Sequence, residues 1–282
     1  MQVLDWGRPD RSVDLVFLHA TGFNALTYRH ILGPLAARYR ILAVDQRGHG
    51  GANLTADPED RPDWCDYRDD LLAVREALDL NSVVLAGHSM GATVSLLAAG
   101  RSSGFARRLV LFDPVILPVP FVPRGGPYDL AAGAERRRTV YDSRAQAFGS
   151  YRGRGAFVGW PDGMVRDYVE AGFRDLPSGE VTLTCAPLWE ASTYRAQRHD
   201  SRAAFETSGC PIDLFKAEHN SATHFDPLAD TPDAAARIDL RVVSGAGHFL
   251  PMQFPDLARD ALVAAIEGKR LSTDFADFTD TN

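Results

Sequence analysis

The sequence predicts an α/β protein with a doubly wound, mostly parallel sheet that carries one inserted, mainly helical segment. Short runs of the 282-residue chain are apolar on both faces, which is typical of buried parallel strands. Helical patterns alternate with these runs and favour right-handed crossovers between parallel strands. The alternation stops between about 114 and 208 and then resumes, so this stretch is predicted to be an insertion.

The predicted strands are apolar, often β-branched runs that end in small or polar residues. They lie at 13–18, 41–44, 83–86, 109–112, 212–215 and 240–243. The segments between several of them carry apolar residues at three- and four-residue spacing, the pattern of a helix with one buried face. These helices are predicted at 28–37, 69–80, 89–100 and 255–266.

The insertion divides the predicted fold into parts. It contains helical patches, such as 164–173, but no run that resembles a central strand. The run Arg136-Arg137-Arg138 is expected to be a solvated helix face. Aromatic residues of the insertion are candidates for pocket walls, although more of them are expected to form its own core; the candidates are Trp160, Trp189 and Tyr194. The predicted parts are the first core part at 1–113, the inserted cap at 114–208, the second core part at 209–271 and a polar tail at 272–282.

Composition and charge narrow the class of partner. The hydrophobic content of 45% and charged content of 24% are those of a globular domain. A net charge of −7 argues against nucleic acid and anionic membranes as partners, because both repel it. No secretory signal and no membrane-spanning run is seen. Three widely spaced cysteines fit neither a disulfide framework nor a zinc site. We therefore expect a cytoplasmic protein with a small-molecule substrate; the sequence leaves its oligomeric state open.

The strongest local motif is Gly87-His88-Ser89-Met90-Gly91, between a predicted strand and a predicted helix. A sharp strand-to-helix turn lifts a serine hydroxyl clear of the sheet, and flanking glycines relieve the crowding at such a turn. Free N–H groups at the helix N-terminus can then bind an oxyanion. Ser89 is thus the candidate nucleophile, and the Met90 N–H is one candidate oxyanion donor.

A second oxyanion donor is expected from the loop after the first central strand, His19-Ala20-Thr21-Gly22-Phe23. Small residues there let the backbone approach the nucleophile. The Thr21 N–H is the preferred donor and the Phe23 N–H is the alternative. The same residues also fit a plain small-residue turn.

The candidate base follows the last predicted strand, in Gly245-Ala246-Gly247-His248. A histidine on a glycine-rich loop can turn toward the carboxyl edge of the sheet, and serine before histidine is the order that this motif requires. His248 is therefore preferred over the other histidines. His88 and His19 are expected to have packing or hydrogen-bonding roles, and His49 a structural one.

Taken in order, these motifs and Asp45-Gln46-Arg47-Gly48-His49-Gly50 resemble the α/β-hydrolase fold family. The resemblance covers nearly the whole chain apart from the insertion, and it is specific for the fold rather than for a substrate. It implies a mainly helical cap where the insertion lies. One departure is His19-Ala20, where the family usually has His-Gly.

The resemblance also implies a carboxylate that orients the histidine and stabilises it when protonated. The family usually carries this acid after the strand that follows the cap, but Asn220 lies there in this sequence. Asp113, at the end of the strand before the cap, is the preferred acid. Its alternative role is to start a turn before Pro114. Glu218 is the second choice, and Asp226 or no working acid remain.

These residues together predict a serine hydrolase that cleaves a small carboxylic ester or lactone through an acyl-enzyme. No cofactor and no metal is expected. Carbon–carbon bond hydrolysis, acyl transfer and perhydrolysis could use the same Ser89 and His248. Haloalkane or epoxide hydrolysis is disfavoured, because the family then carries aspartate at the position of Ser89. A hydrolase-like binding protein with little turnover is the alternative from a different class, and Asn220 is its only support.

Overall fold

The computed structural model describes residues 1–117 and 129–271. The strands in these ranges are β1 (Gln2–Trp6), β2 (Leu15–Leu18), β3 (Ile41–Asp45), β4 (Val83–His88), β5 (Ala106–Phe112), β6 (Val140–Tyr141), β7 (Phe173–Asp175), β8 (Val181–Leu183), β9 (Ile212–Ala217) and β10 (Ile238–Val243). A seven-stranded sheet with the order β1-β3-β2-β4-β5-β9-β10 forms the centre of the described part. β1 is antiparallel to β3, and the other neighbouring strands of this sheet are parallel.

Helices cover both faces of the sheet. They are α1 (Arg29–Leu32), α2 (Cys65–Ala77), α3 (Met90–Arg101), α4 (Leu130–Glu135), α5 (Arg144–Tyr151), α6 (Asp162–Gly172), α7 (Pro187–Arg195), α8 (Ser201–Thr207), α9 (Pro227–Asp230), α10 (Leu250–Gln253) and α11 (Pro255–Ile266). The apolar residues of α1 and α11 pack into one hydrophobic core, and those of α2 and α3 pack into a second.

Successive side chains along a strand contribute alternately to the two cores. In β2, Leu15 and Phe17 belong to the first core, whereas Val16 and Leu18 belong to the second. Successive strand residues point to opposite faces, so a sheet that is covered on both faces needs apolar residues at every position. This explains the continuous apolar runs of the sequence, and the predicted fold class is confirmed.

The helix predicted at 28–37 is much shorter than expected. α1 comprises only Arg29–Leu32, and short 3-10 turns at Ala25–Tyr28 and Gly33–Ala37 flank it. Pro34 lacks the N–H that would continue the α-helical hydrogen bonding, which accounts for the break. The other predicted helices and strands are present, with boundaries shifted by a few residues.

Between β5 and β9 the described residues form α4 to α8 together with a separate three-stranded antiparallel sheet, β6-β8-β7. The sequence did not predict this small sheet, because its strands of two or three residues are too short to show an alternating pattern. Part of the predicted cap, 118–128, and the predicted tail, 272–282, lie outside the described residues. The division into core and cap stays a prediction. Across the described ranges, no helix combines the length and the apolar character that crossing a bilayer requires.

A buried ion pair joins the neighbouring strands β5 and β9. The Arg108 guanidinium donates two hydrogen bonds to the Asp213 carboxylate, at 2.6 and 2.7 Å, and the two side chains are 13% and 8% exposed. We predict that Asp213→Asn lowers the free energy of unfolding by about 3 kcal/mol, because it leaves a buried guanidinium without its counter-charge.

The matched control is Asp10→Asn, which removes the partner of Arg8 in a pair whose side chains are 72% and 61% exposed. Urea denaturation should show no measurable change for this variant, because solvent screens exposed pairs. Equal effects of the two substitutions would contradict the structural role assigned to the Arg108–Asp213 pair.

Candidate active site

Ser89 lies at a strained turn between β4 and α3. Its backbone has φ 55° and ψ −119°, and its N–H donates to the Phe112 carbonyl at 2.9 Å. A Cβ at Gly87 would lie 2.4 Å from the Gly91 carbonyl carbon, and one at Gly91 would lie 2.3 Å from the Leu18 carbonyl oxygen. Neither position has room for a side chain, so the two glycines allow β4, α3 and the end of β2 to approach closely enough to form the turn.

A series of hydrogen bonds joins Ser89, His248 and Asp113. Ser89 Oγ lies 3.0 Å from His248 Nε2, and His248 Nδ1 lies 2.6 Å from Asp113 Oδ2. A carboxylate can only accept, so Nδ1 carries the proton and Nε2 is left to accept from the Ser89 hydroxyl. The structure thus brings the three predicted residues together in an order that permits proton transfer from serine to histidine.

Asp113 is fully buried and accepts several further hydrogen bonds. The Ala217 N–H donates to Oδ1 at 2.9 Å, the Ser221 hydroxyl donates to Oδ1 at 2.5 Å, and the Ala222 N–H donates to Oδ2 at 3.0 Å. Burial alone would raise the pKa of Asp113, but hydrogen bonds from His248, Ser221 and Ala217 and the charge of His248 outweigh it and hold the pKa below its usual value. The carboxyl group therefore stays ionised beside the imidazole.

The alternative acids lie elsewhere. The exposed Glu218 accepts the Gly245 N–H at 2.7 Å and lies near Ser244 rather than near the His248 ring. The Asp226 N–H donates to Asp230, and the position occupied by Asn220 is exposed. Of the candidates weighed from the sequence, Asp113 is the one whose carboxylate meets Nδ1 of His248.

Most backbone N–H groups of the loop after β2 donate hydrogen bonds within the protein. Ala20 N–H donates to Tyr28 Oη at 3.1 Å, Gly22 N–H to His49 Nε2 at 3.0 Å, and Phe23 N–H to the Ala20 carbonyl at 3.1 Å. Within residues 1–117 and 129–271, the Thr21 N–H has no acceptor.

The Met90 N–H also has no acceptor among the described residues. It occupies the first turn of α3, where a helix offers no acceptor of its own. The Leu18 and His19 carbonyls lie directly against Gly91, so the loop after β2 adjoins the start of this helix. These contacts favour Thr21 and Met90 as the pair of oxyanion donors and disfavour Phe23.

Two neutral histidines brace the loop after β2. His19 Nε2 accepts the Gln46 N–H at 3.0 Å, which leaves its Nδ1–H to donate to the Ala20 carbonyl at 2.8 Å. His49 accepts from Gly22 in the same way. Burial lowers the pKa of His19 to about 4 and that of His49 well below its usual value, so both rings stay uncharged. This agrees with the hydrogen-bonding and structural roles expected for them.

Aromatic side chains pack beside the serine and the histidine. The Trp160 ring centroid lies 5.3 Å from that of Phe23 and 5.9 Å from that of Phe249, the residue after His248. Trp160 therefore contacts both the loop after β2 and the loop that carries His248. Trp189 packs against Gly48 in the loop after β3, where its Nε1–H donates to the Arg47 carbonyl at 3.0 Å.

The expectation that Arg136-Arg137-Arg138 forms a solvated helix face was wrong, because the run follows the end of α4 and Arg137 is partly buried; Arg136 and Arg138 are exposed. The Arg137 guanidinium forms an ion pair with Glu190 and donates to Tyr168 Oη at 2.6 Å, and its side chain is 19% exposed. Spacing in the sequence could not reveal this pair, because Glu190 lies far along the chain, on α7.

Sequence reasoning also missed two residues that touch the site. Ser221 donates a hydrogen bond to Asp113, and Tyr28 accepts one from the Ala20 N–H in the loop after β2. Neither belongs to a recognisable motif, so only the folded geometry reveals them. Over the described part of the chain, no group of three His, Cys, Asp or Glu side chains is arranged to hold a metal ion.

Comparison with known proteins agrees with this architecture. The model of the alpha/beta hydrolase family matches residues 15–265, and the chain belongs to that family. The resemblance drawn from the motifs is thereby confirmed.

Individual relatives cover nearly the whole chain. 2-(Acetamidomethylene)succinate hydrolase of Mesorhizobium japonicum is 25% identical over 253 residues, which is 90% of this chain and 87% of that protein. The crystal structure of E-2-(acetamidomethylene)succinate hydrolase superposes with a TM-score of 0.75 at 23% identity over 94% of both chains. A thioesterase domain from the curacin biosynthetic pathway superposes with a TM-score of 0.73 at 16% identity, over 93% of this chain and 94% of that one.

The close approach at Gly91 generates a stability prediction. Gly91→Ala should lower the free energy of unfolding by at least about 3 kcal/mol, because its Cβ meets a backbone carbonyl that cannot move without disturbing β2. Gly149→Ala is the matched control, since Gly149 lies in α5 with open space around it. The control should raise the free energy of unfolding by about 0.5–1 kcal/mol, because alanine favours a helix. If urea denaturation gives both variants wild-type stability, the close approach is wrong.

Proposed function

We propose that the protein is a serine hydrolase that cleaves a small carboxylic ester or lactone through an acyl-enzyme. The observation that carries the proposal is the series Asp113–His248–Ser89, next to two N–H groups that have no acceptor among the described residues. Family membership supports hydrolysis as the reaction class. The ester or lactone as the bond cleaved is the further step of this proposal.

In the first half-reaction, His248 Nε2 takes the hydroxyl proton as Ser89 Oγ attacks the carbonyl carbon. The carbonyl oxygen becomes an oxyanion, which accepts hydrogen bonds from the Thr21 and Met90 N–H groups. Asp113 stabilises the imidazolium formed at this point without taking its proton. Protonated His248 then donates to the leaving oxygen, so the alcohol departs and the acyl group stays on Oγ.

In the second half-reaction, a water molecule replaces the alcohol. His248 Nε2 takes a proton from this water as its oxygen attacks the acyl carbon. The same oxyanion donors stabilise the second tetrahedral intermediate. His248 then returns the proton to Ser89 Oγ, the acyl–oxygen bond breaks, and the carboxylic acid leaves.

A second candidate is hydrolysis of the amide bond of a small N-acyl carboxylic acid. The full-length match to 2-(acetamidomethylene)succinate hydrolase, whose name describes such a compound, favours it. The same Ser89, His248 and Asp113 would act, with an amine in place of the alcohol as the leaving group. The hydrolase-like binding protein is less favoured, because Asp113 offers the carboxylate that Asn220 lacks.

Purified protein assayed against short p-nitrophenyl esters, lactones and N-acyl amino acids separates these candidates. We predict turnover of esters that Ser89→Ala abolishes, because Ser89 carries the hydroxyl that lies against His248 Nε2. Asp113→Asn should lower kcat by about 10⁴-fold, since an amide leaves the wrong tautomer and cannot stabilise the imidazolium.

Glu218→Gln is the matched control, because it removes a carboxylate of the neighbouring loop that does not contact His248. It should leave kcat near the wild-type value. Loss of activity in Glu218→Gln with retention in Asp113→Asn would contradict the assignment of the acid. Turnover of N-acyl compounds without esters would favour the second candidate.

A further inference from the structure

A chain of buried hydrogen bonds connects the loop after β2, here called the oxyanion loop because it contains Thr21, to the loop that carries His248. This route does not pass through Asp113. The Ala20 N–H donates to Tyr28 Oη at 3.1 Å, and Tyr28 Oη lies 2.8 Å from His88 Nδ1. On the other side of the ring, His88 Nε2 lies 2.8 Å from the His248 carbonyl oxygen. Tyr28 and His88 are fully buried.

The direction of each hydrogen bond in this chain follows from its two ends. The His248 carbonyl can only accept, so His88 Nε2 carries the proton that is donated to it. In the neutral ring Nδ1 is then unprotonated and accepts from the Tyr28 hydroxyl, whose oxygen accepts the Ala20 N–H. One tautomer of His88 satisfies every group.

The arrangement requires a neutral His88. Burial, together with the nearby His248 ring, lowers the pKa of His88 to about 3. Were His88 protonated, Nδ1–H and the Tyr28 hydroxyl would face each other as two donors, and the Tyr28 proton would lose its acceptor. A charged His88 would also lie 5.2 Å, ring to ring, from His248 and oppose its protonation during turnover.

Other hydrogen bonds hold the loop just before His248. Glu218 accepts the Gly245 N–H at 2.7 Å, and Gln253 accepts the Gly247 N–H at 2.8 Å. Asp113 holds the ring of His248 through Nδ1, whereas His88 holds its backbone through the carbonyl oxygen. An imidazole that is held only through Nδ1 can still rotate about that contact. The second hydrogen bond, at the His248 carbonyl, restricts this rotation.

We propose that Tyr28 and His88 are positioning residues, which together hold the oxyanion loop and the His248 backbone in register with Ser89. They touch no reacting atom and act through Ala20 and His248. The proposal rests on the proposed function, since it assigns Thr21 and His248 their roles in turnover. The proposal gives His88 a positioning role in addition to its place in the motif Gly87-His88-Ser89-Met90-Gly91.

The test compares Tyr28→Phe, His88→Leu and His88→Gln with wild type on the ester that wild type cleaves fastest. His88→Leu removes both hydrogen bonds of the ring and should lower kcat by about 10- to 100-fold, with KM little changed, because displaced catalytic groups lose alignment rather than binding. His88→Gln can still donate toward the His248 carbonyl and should recover part of that loss. Tyr28→Phe should fall between His88→Gln and His88→Leu.

Tyr39→Phe is the matched control. It also removes a phenol hydroxyl from the core, but one that donates to Glu267 at 2.7 Å, away from Ser89. Its kcat should equal that of wild type even if its melting temperature falls. Thermal melts of all variants show which of them are folded at the assay temperature. If His88→Leu does not fold, Tyr28→Phe, which removes a single oxygen atom, decides the outcome.

Proton NMR gives a second readout that needs no substrate. The His248 Nδ1 proton, shared with Asp113 at 2.6 Å, should give a far-downfield resonance in wild type. We expect this resonance to shift or broaden in Tyr28→Phe and His88→Leu but not in Tyr39→Phe. Wild-type kcat together with an unchanged resonance in the folded variants would overturn the positioning role. Absence of turnover in wild type, with the resonance displaced in the variants, would instead overturn the proposed function alone.

Discussion

The backbone conformation of Ser89 is the constraint on which the rest of the site depends. β4, α3 and the end of β2 approach so closely that Gly87 and Gly91 have no room for a Cβ, and the turn between them takes φ 55° at the serine. A non-glycine residue in such a conformation costs of order 1–3 kcal/mol. The packing of the sheet and the hydrogen bond from the Ser89 N–H to Phe112 offset this cost. The hydroxyl is thereby held at the sheet edge where the loops after β2, β5 and β10 meet.

The charge states of four buried groups determine the electrostatics at this edge of the sheet. Asp113 is buried but surrounded by donors, so its carboxylate stays ionised. His19, His49 and His88 are buried, and desolvation keeps all three neutral. With these three rings uncharged, the Asp113 carboxylate is the buried charge that lies against His248. A buried negative charge has most effect on a proton acceptor when few other charges lie near it.

Much of the fold was predictable from sequence, because the signals are local. A strand buried on both faces must be apolar throughout, and the elbow around Ser89 needs glycine at both sides. The carboxylate partner of His248 could not be predicted from local sequence, because whether Asp113 or Glu218 meets His248 depends on how β5 and β9 align across the sheet. The edge strand β1 lacks the continuous apolar run of a buried strand, and the strands of the small sheet β6-β8-β7 have too few residues for a readable pattern. The burial of Arg137 depends on a partner 53 residues away.

We expect a carbonyl oxygen held at Ser89 to lie between the N–H groups of Thr21 and Met90. A crystal structure of the protein after reaction with a small alkyl fluorophosphonate tests this directly, because the phosphonyl oxygen mimics the oxyanion. We expect one adduct, on Ser89, with that oxygen about 2.7–3.1 Å from both backbone nitrogens. An adduct whose oxygen contacts neither nitrogen, or a folded protein that forms no adduct at Ser89, would contradict this expectation.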